Sequence, residues 1–190
     1  MKIEKLEENG YESKENTIKI EKVCKGGFLI ILPIVILMIG GYFLVNGVYD
    51  ITVQPWTDYF IIVGFFVVGF LIHEFLHVIV WVICSEDKWK SLRYGLDINY
   101  MKPYINCEEA VKVNQYRIQK VLPVIITSII PYIVALIIGN YHLAVASALL
   151  FGMCGVDLRV LILLRKENKD NYIVNDIDDG LYGGIIYLKK

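Results

Sequence analysis

Hydrophobic residues gather in long blocks along this chain, instead of recurring at the spacing of an amphipathic helix or strand. Charged residues are nearly absent from the blocks, which cover residues 26–48, 59–84, 121–138 and 142–164. Each block has at least the roughly 17–20 residues that a helix needs to cross about 30 Å of hydrocarbon. The pattern predicts an all-α integral membrane fold with about four transmembrane helices.

Polar segments surround the blocks and form an N-terminal arm, a central loop and a tail, over residues 1–25, 85–120 and 165–190. The arm is rich in Lys and Glu, and we expect it to be solvated with at most one short strand. In the loop, residues 91–99 are typical of a strand or small hairpin, and residues 107–120 of a surface helix. In the tail, Asp179-Gly180 and Gly183-Gly184 predict turns between strands. A small mixed α/β part is therefore expected outside the helices.

Basic residues indicate the orientation, because Lys and Arg are enriched in the cytoplasmic loops of membrane proteins. They occur before the first block, in the central loop and after the fourth block, whereas the other two connections carry none. With four spans, all of them fall on one side. We predict a multi-pass protein with both termini in the cytoplasm. The abundance of Ile and Lys makes the bacterial cytoplasmic membrane the expected location.

Composition narrows the class of protein further. Of the 190 residues, 56% are hydrophobic, above the roughly 45–50% that is usual for soluble chains. The net charge of −1 gives no reason to expect a nucleic-acid partner. The four cysteines lie far apart without a C-x-x-C spacing, so neither a thiolate zinc site nor a redox pair is predicted.

The chemistry is concentrated in the motif His73-Glu74-Phe75-Leu76-His77, inside the second block. Histidines four positions apart stand on the same face of a helix, so both imidazoles can bind one metal ion. The glutamate beside them can act as general base on water that the metal activates. Two imidazoles with an open position suit zinc. We predict Zn²⁺ as the cofactor, His73 and His77 as ligands, and Glu74 as the catalytic base.

A chance match and a set of polar contacts between helices are the other interpretations of this motif. Its position disfavours both, because an ionisable residue in the middle of a membrane costs about 2.5–3.5 kcal/mol and usually marks a functional site. Three such residues occur within five positions. A metal site accounts for all three at once. Gly69, one turn before His73, permits close approach by a neighbouring helix or by a substrate.

A third ligand is expected at the same depth as the histidines. His77 and Asp157 each lie seven residues, or about 10 Å, from the cytoplasmic ends of their blocks. His142 lies fifteen residues before Asp157, which puts it roughly 22 Å closer to the opposite side. An ion pair with Arg159 is the alternative role for Asp157, but helix positions two apart point in nearly opposite directions. We therefore predict Asp157 as the third ligand.

Other residues bear on this assignment. Glu108 and Glu109 are rivals for the third ligand if the central loop folds back into the site. Gly152 and Gly155 would let the fourth span pack closely on the second, which would bring Asp157 near the histidines. Arg159 is expected to extend towards the cytoplasmic surface.

These residues resemble a known family, the putative zincin peptidases of bacterial membranes. The similarity covers most of the chain after the arm. It rests on H-E-F-L-H, Leu122-Pro123, Gly155-x-Asp157 and the tail residues Val174, Asp176, Gly180, Ile186 and Tyr187. The chain is also distantly similar to site-2 intramembrane metalloproteases, although it has Val156-Asp157-Leu158 where they have L-D-G, and no Asn-x-x-Pro element ahead of it. The resemblance implies His73, His77 and Asp157 as zinc ligands and Glu74 as the base.

The sequence therefore predicts a zinc-dependent, membrane-embedded peptidase that hydrolyses peptide bonds within or near the bilayer. Its expected partners are the lipid bilayer and a membrane protein or peptide substrate, and nothing in the sequence indicates an oligomeric state. One alternative is a membrane metallohydrolase acting on a lipid or another non-protein amide. The other is a non-catalytic zinc-binding scaffold or sensor, which would have no need of a carboxylate next to its first ligand.

Overall fold

The computed structural model describes residues 2–47, 56–97, 102–174 and 181–189. In chain order its elements are α1 (Ile3–Glu8), β1 (Tyr11–Lys19), α2 (Ile20–Asn46), α3 (Trp56–Cys84), β2 (Leu92–Asp97), β3 (Lys102–Cys107), β4 (Val111–Lys112), α4 (Val113–Val124), α5 (Ile130–Ile138), α6 (Tyr141–Met153), α7 (Gly155–Leu164), β5 (Tyr172–Val174) and β6 (Leu181–Lys189). A 3-10 helix (Lys88–Ser91) precedes β2, and a π-helical turn (Ile125–Ile129) joins α4 to α5.

Within the described residues the chain is mainly helical with small antiparallel sheets, and it divides into two units. The helical unit consists of residues 24–76 and 121–159. The sheet unit consists of residues 1–23, 77–120 and 160–190. Helices α2, α3, α4 and α7 each continue from one unit into the other.

Three helices in the described part of the chain are long and apolar enough to cross a membrane, namely Lys22–Asn46, Trp56–Cys84 and Val113–Ile138. Helices α6 and α7 meet the same criteria only as a pair bent by 48°, which suits either a broken fourth span or a re-entrant loop. The third helix begins earlier than its apolar block, because most of the surface helix expected in residues 107–120 is continuous with it. The bend of the α6–α7 pair falls between Gly152 and Gly155, and glycine is a common cause of helix kinks.

The first two apolar helices bury little of their surface inside the molecule. Only 11% of the most apolar part of α2 and 17% of that of α3 is buried. Leu37 of α2 and Phe60 of α3 are exposed over 71% and 73% of their surface. Apolar surfaces of this extent are rare on water-soluble monomers, and they are what hydrocarbon solvates well. Length, composition and surface therefore all suit segments that cross a membrane.

Separate parts of the chain meet in the main sheet of the sheet unit, whose described strands have the antiparallel order β1-β6-β5-β4. Strand β1 comes from the arm, β4 from the central loop, and β5 and β6 from the tail. The expectation of a solvated arm with at most one short strand is wrong, since the arm forms α1 and a nine-residue strand. Leu6 of α1 is completely buried, because it packs under the sheet against Ala110, Val174 and Tyr187.

The hairpin and turns predicted from sequence have different outcomes. Of the strand or small hairpin expected in residues 91–99, the strand is confirmed as β2, and its antiparallel partner β3 lies beyond that range. Gly183-Gly184 does not form the predicted turn, because both residues lie inside β6, opposite Thr17 and Asn16 of β1. Pairing with a strand at the other end of the chain overrides the local turn preference there. The turn predicted at Asp179-Gly180 lies outside the described residues.

An apolar cluster fixes helix ends to the sheet inside the sheet unit. Trp81 of α3 and Tyr116 of α4 pack edge to face, with ring centres 5.5 Å apart. Leu164 of α7 and the strand residues Ile173 and Ile186 complete the centre of this cluster, and all three are completely buried. The cluster therefore holds the ends of three helices at defined positions.

Candidate metal centre

Helix α3 places the two histidines of the motif one turn apart. The segment from Trp56 to Cys84 is apolar and has no proline, so the helix runs through the motif without a break. His73 and His77 both belong to this uninterrupted helix. His73 is only 6% exposed, whereas His77 is half-buried and Glu74 is exposed.

Asp157 lies beside His73. It occupies the first turn of α7, just after the bend, and its Oδ2 atom is 3.5 Å from Nε2 of His73. One ligand atom from each of His73, His77 and Asp157 lies within 4.8 Å of the other two. Asp157 is 8% exposed, so the carboxylate is withdrawn from solvent. The structure thus brings the three candidate ligands together, and their role as ligands remains a prediction.

The chemistry of this donor set fits zinc. Two imidazole nitrogens and one carboxylate oxygen are ligands that zinc accepts, and three protein ligands leave a position for water or substrate. Among the described residues, Glu74 does not belong to this group of candidate ligands. The carboxylate of Glu74 is therefore distinct from the three candidate ligands.

A hydroxyl group from the third apolar helix also contacts the site. Oγ1 of Thr127 lies 3.2 Å from Nδ1 of His73, and the same hydroxyl donates a hydrogen bond to the carbonyl of Pro123 at 2.8 Å. Thr127 is 4% exposed and belongs to the π-helical turn. Thr127 is not among the site residues predicted from the sequence. The available signal is that Thr127-Ser128 interrupts an apolar run inside the third block.

The two loop glutamates have other partners. Glu108 forms an ion pair with Arg93. The carboxylate of Glu109 accepts hydrogen bonds from the backbone N–H groups of Glu86 and Asp87, at 2.8 and 2.9 Å. Burial raises the pKa of Glu109, but these N–H donors favour the charged form and bring its pKa below the ordinary value. Among the described residues, neither glutamate belongs to the group of candidate ligands.

Two further polar residues, His142 and Arg159, have neighbours elsewhere in the helical unit. Nε2 of His142, at the start of α6, is 3.2 Å from Oδ1 of Asp58, at the start of α3. Arg159 packs under Gly26 of α2, where an added Cβ would lie 2.9 Å from its Nε. Within the described part of the chain, that nitrogen is buried and has no hydrogen-bond partner.

Glycines allow close helix packing in the helical unit, but not between the helices that were expected. A Cβ at Gly27 of α2 would lie 2.6 Å from the carbonyl oxygen of Gly155 in α7. The expectation that Gly152 and Gly155 pack on the second span is therefore wrong, since their nearest neighbours belong to α2. The space beside Gly69 is filled by the side chain of Leu150, which favours helix packing over approach by a substrate.

Comparison with known proteins gives a family match. A family model with the description "Putative zincin peptidase" matches residues 65–172. This segment is more than half of the chain, and it contains the H-E-x-x-H motif, the π-helical turn and Asp157. No curated protein and no solved structure matches the chain.

Proposed function

The chain belongs to the family of putative zincin peptidases, and from this premise we propose that it is a zinc-dependent, membrane-embedded peptidase. It would hydrolyse peptide bonds within or near the bilayer. The observation that carries the proposal is the approach of ligand atoms from His73, His77 and Asp157 to within 4.8 Å of one another. These residues would hold the ion, and Glu74 would be the catalytic base.

The residues divide the chemistry between coordination and proton transfer. Zinc in such a site supplies Lewis acidity, which polarises a peptide carbonyl and makes water more acidic. Glu74 follows His73 directly on α3 but lies outside the group of ligand atoms, so its carboxylate is available for proton transfer. Its side chain is exposed and is not covered by the described part of the protein. Glu74 would accept the proton of the attacking water and deliver it to the departing amine.

The position of the motif supports action within the membrane. His73 lies eleven residues before Cys84, the last residue of α3, which corresponds to about 16 Å along the helix axis. That depth falls inside a hydrocarbon core of about 30 Å. The exposed apolar surfaces of α2 and α3 support the same placement, because they would otherwise face water.

The main sheet supports the proposed topology. Strands joined by backbone hydrogen bonds lie on the same side of a bilayer, and the described strands of this sheet come from the arm, the central loop and the tail. If α4 and α5 cross, the tail can rejoin β4 only when the bent pair α6 and α7 crosses back. Four spans follow. The distribution of Lys and Arg then favours the cytoplasm for the sheet and both termini.

Metal analysis and hydrolysis assays on purified protein test the proposal. We expect about one zinc ion per chain in the wild type and almost none in the double variant His73→Ala, His77→Ala. Glu74→Gln should retain the zinc and lose hydrolysis, because it removes the base and leaves the ligands intact. Equal zinc in the wild type and the double variant would overturn the metal site.

The alternatives give different results in cells. The membrane proteome and lipids of cells with the wild-type protein would be compared with those of cells with Glu74→Gln. Membrane proteins that accumulate only with the variant would be substrates of a peptidase. Lipid changes without protein changes would identify a hydrolase of lipids, and the absence of both would favour a zinc-binding scaffold or sensor.

A further inference from the structure

Thr127 makes an unusual contact for a residue in an apolar helix. It is 4% exposed, and its hydroxyl lies between the Pro123 carbonyl of its own helix and the imidazole of His73 on α3. Thr and Ser in helices often bond back to the carbonyl four residues earlier, and that local bond satisfies the hydroxyl by itself. The second contact, at 3.2 Å from Nδ1 of His73, is therefore not needed to satisfy the buried hydroxyl.

The geometry determines which nitrogen of His73 carries the proton. A hydroxyl has one proton to donate, and that of Thr127 goes to the Pro123 carbonyl at 2.8 Å. Towards Nδ1 of His73 the oxygen can then only accept, so Nδ1 is the protonated nitrogen. In the neutral imidazole Nε2 then keeps its lone pair, and it is this atom that faces Oδ2 of Asp157 at 3.5 Å.

The local backbone explains how Thr127 reaches this position. It lies in the π-helical turn Ile125–Ile129, which separates α4 from α5. Pro131 follows just after this turn and has no N–H to donate, so regular α-helical hydrogen bonding is interrupted there. Single π-helical turns inside α-helices are frequent at functional sites, because the extra residue displaces side chains from their regular positions.

We propose that Thr127 is a positioning residue of the metal centre. Its hydroxyl, anchored on the Pro123 carbonyl, orients the imidazole of His73 and holds it in the tautomer that presents Nε2 to zinc. Histidines that bind metals commonly donate their other N–H to a neighbouring acceptor, which fixes the ring and raises its basicity as a ligand. This inference rests on the proposed function, because it takes His73 as a zinc ligand.

Three substitutions at position 127 separate the hydroxyl from the space that the side chain fills. Thr127→Val keeps the shape and removes the hydroxyl, Thr127→Ala removes both, and Thr127→Ser keeps the hydroxyl. Ser147→Ala is the matched control. Ser147 is also completely buried in an apolar helix and donates to the carbonyl four residues earlier, that of Leu143 at 2.6 Å.

Zinc affinity, measured on purified protein by competition with a chelator, is the readout. We expect Thr127→Val and Thr127→Ala to weaken zinc binding by about 10–100-fold, the usual effect of losing a partner of a metal-binding histidine. Thr127→Ser should restore most of the affinity, and Ser147→Ala should leave it unchanged. The visible spectrum of the Co²⁺-substituted protein should change in the Val and Ala variants, because the orientation of a ligand has changed.

The outcomes distinguish this inference from the proposal on which it rests. If the wild type fails to bind zinc, the metal centre itself is overturned. If the wild type binds zinc and Thr127→Val binds it equally well, the positioning role is overturned while the metal centre stands. Equal losses in Thr127→Val and Ser147→Ala would also overturn the positioning role, because any buried hydroxyl would then suffice. Should the Val variant not fold, the Ala and Ser variants make the same comparison.

Discussion

At the scale of single residues, Nε2 of His73 and Oδ2 of Asp157 lie 3.5 Å apart in the candidate site, and both residues are withdrawn from solvent. In a neutral imidazole with Nδ1–H directed at Thr127, Nε2 presents a lone pair to the carboxylate oxygen of Asp157. Two such acceptors repel each other in a medium of low dielectric constant, and a metal cation bound by both would remove the repulsion.

Replacing Asp157 tests the third ligand. Asp157→Asn should weaken zinc binding by at least about 10–100-fold, because a neutral amide gives the ion less negative charge than a carboxylate. Asp58→Asn is the matched control, since Asp58 also faces a histidine in the apolar helices but lies beside His142. Chelator competition should show a loss for the first variant alone. Equal affinity in both would remove Asp157 from the ligand set.

Glu109 should stabilise the fold through its charge. Its carboxylate accepts the N–H groups of Glu86 and Asp87, and Gln has only one acceptor atom for the two. We expect Glu109→Gln to lower the free energy of unfolding by about 1–3 kcal/mol at neutral pH. Glu108→Gln, which alters an exposed ion pair with Arg93, should change it little. Thermal unfolding in detergent measures both.

The effect of Glu109 should also depend on pH. Its pKa in the folded protein lies below the ordinary value, because the N–H bonds outweigh the effect of burial. Its contribution to stability is therefore fully present above the ordinary pKa and is lost as the pH falls through the lower folded value. The difference in melting temperature between wild type and Glu109→Gln should narrow in acid. A difference that stays constant down to strongly acid pH would contradict this assignment.

Some residues of the candidate site could be predicted from the sequence and others could not, for physical reasons. His73 and His77 could be predicted because a helix fixes the spacing of residues four apart, and Asp157 because charge is rare in apolar helices. Thr127 could not, since its contact depends on a π-helical turn that displaces it towards another helix. The roles of Glu108 and Glu109 depended on how a loop folds, which no local pattern specifies.

At the scale of elements, the contact between α2 and α7 matters most for the site, since Asp157 follows Gly155 by two residues. Gly27→Ala should push the two helices apart, because its Cβ would lie 2.6 Å from the Gly155 carbonyl oxygen. Overpacking of this kind costs about 1–3 kcal/mol. We expect lower thermal stability and, since Asp157 shifts, weaker zinc binding.

Another glycine of the same helix provides the control for Gly27→Ala. A Cβ at Gly40 of α2 would have no described atom within 4 Å. Gly40→Ala should therefore be neutral or slightly stabilising, as alanine is favoured over glycine in a helix. Equal effects of the two substitutions on melting temperature would contradict the close α2–α7 contact.

The elements themselves were predictable to different degrees. The apolar blocks predicted the long helices well, because a chain in hydrocarbon must satisfy its backbone hydrogen bonds internally. The π-helical turn and the bend at Gly152 and Gly155 interrupt regular α-helix, and the composition indicates such interruptions only weakly. The turn predicted at Gly183-Gly184 was wrong because β6 pairs with β1 from the arm, and such a distant partner is invisible to any local pattern.

At the scale of the whole molecule, the strand pairing in the main sheet constrains the proposed membrane topology, in addition to the distribution of charge. Strand β6 is hydrogen-bonded to β1 from the arm and to β5 of the tail, which in turn pairs with β4 from the central loop. A bilayer cannot separate strands that share backbone hydrogen bonds. In the proposed membrane placement, the segments between them would therefore cross an even number of times, independently of where Lys and Arg occur.

Reporter fusions test this topology at four points. Fusions after residues 49, 86, 140 and 190 should read outside, inside, outside and inside. The alternation follows from α2 and α3 crossing as one pair, and from α4–α5 and the bent α6–α7 crossing as the next. The charge distribution sets the absolute direction, since basic residues lie on the side of the sheet. With 86 and 190 inside, a reporter at 140 that reads inside would mean that neither α4–α5 nor the bent pair crosses. An external reading at 86 alone would place the central loop on the opposite side of the membrane from the arm and tail. The pairing of β4 with β5 forbids this arrangement. That result would therefore contradict both the sheet and the proposed depth of the metal centre.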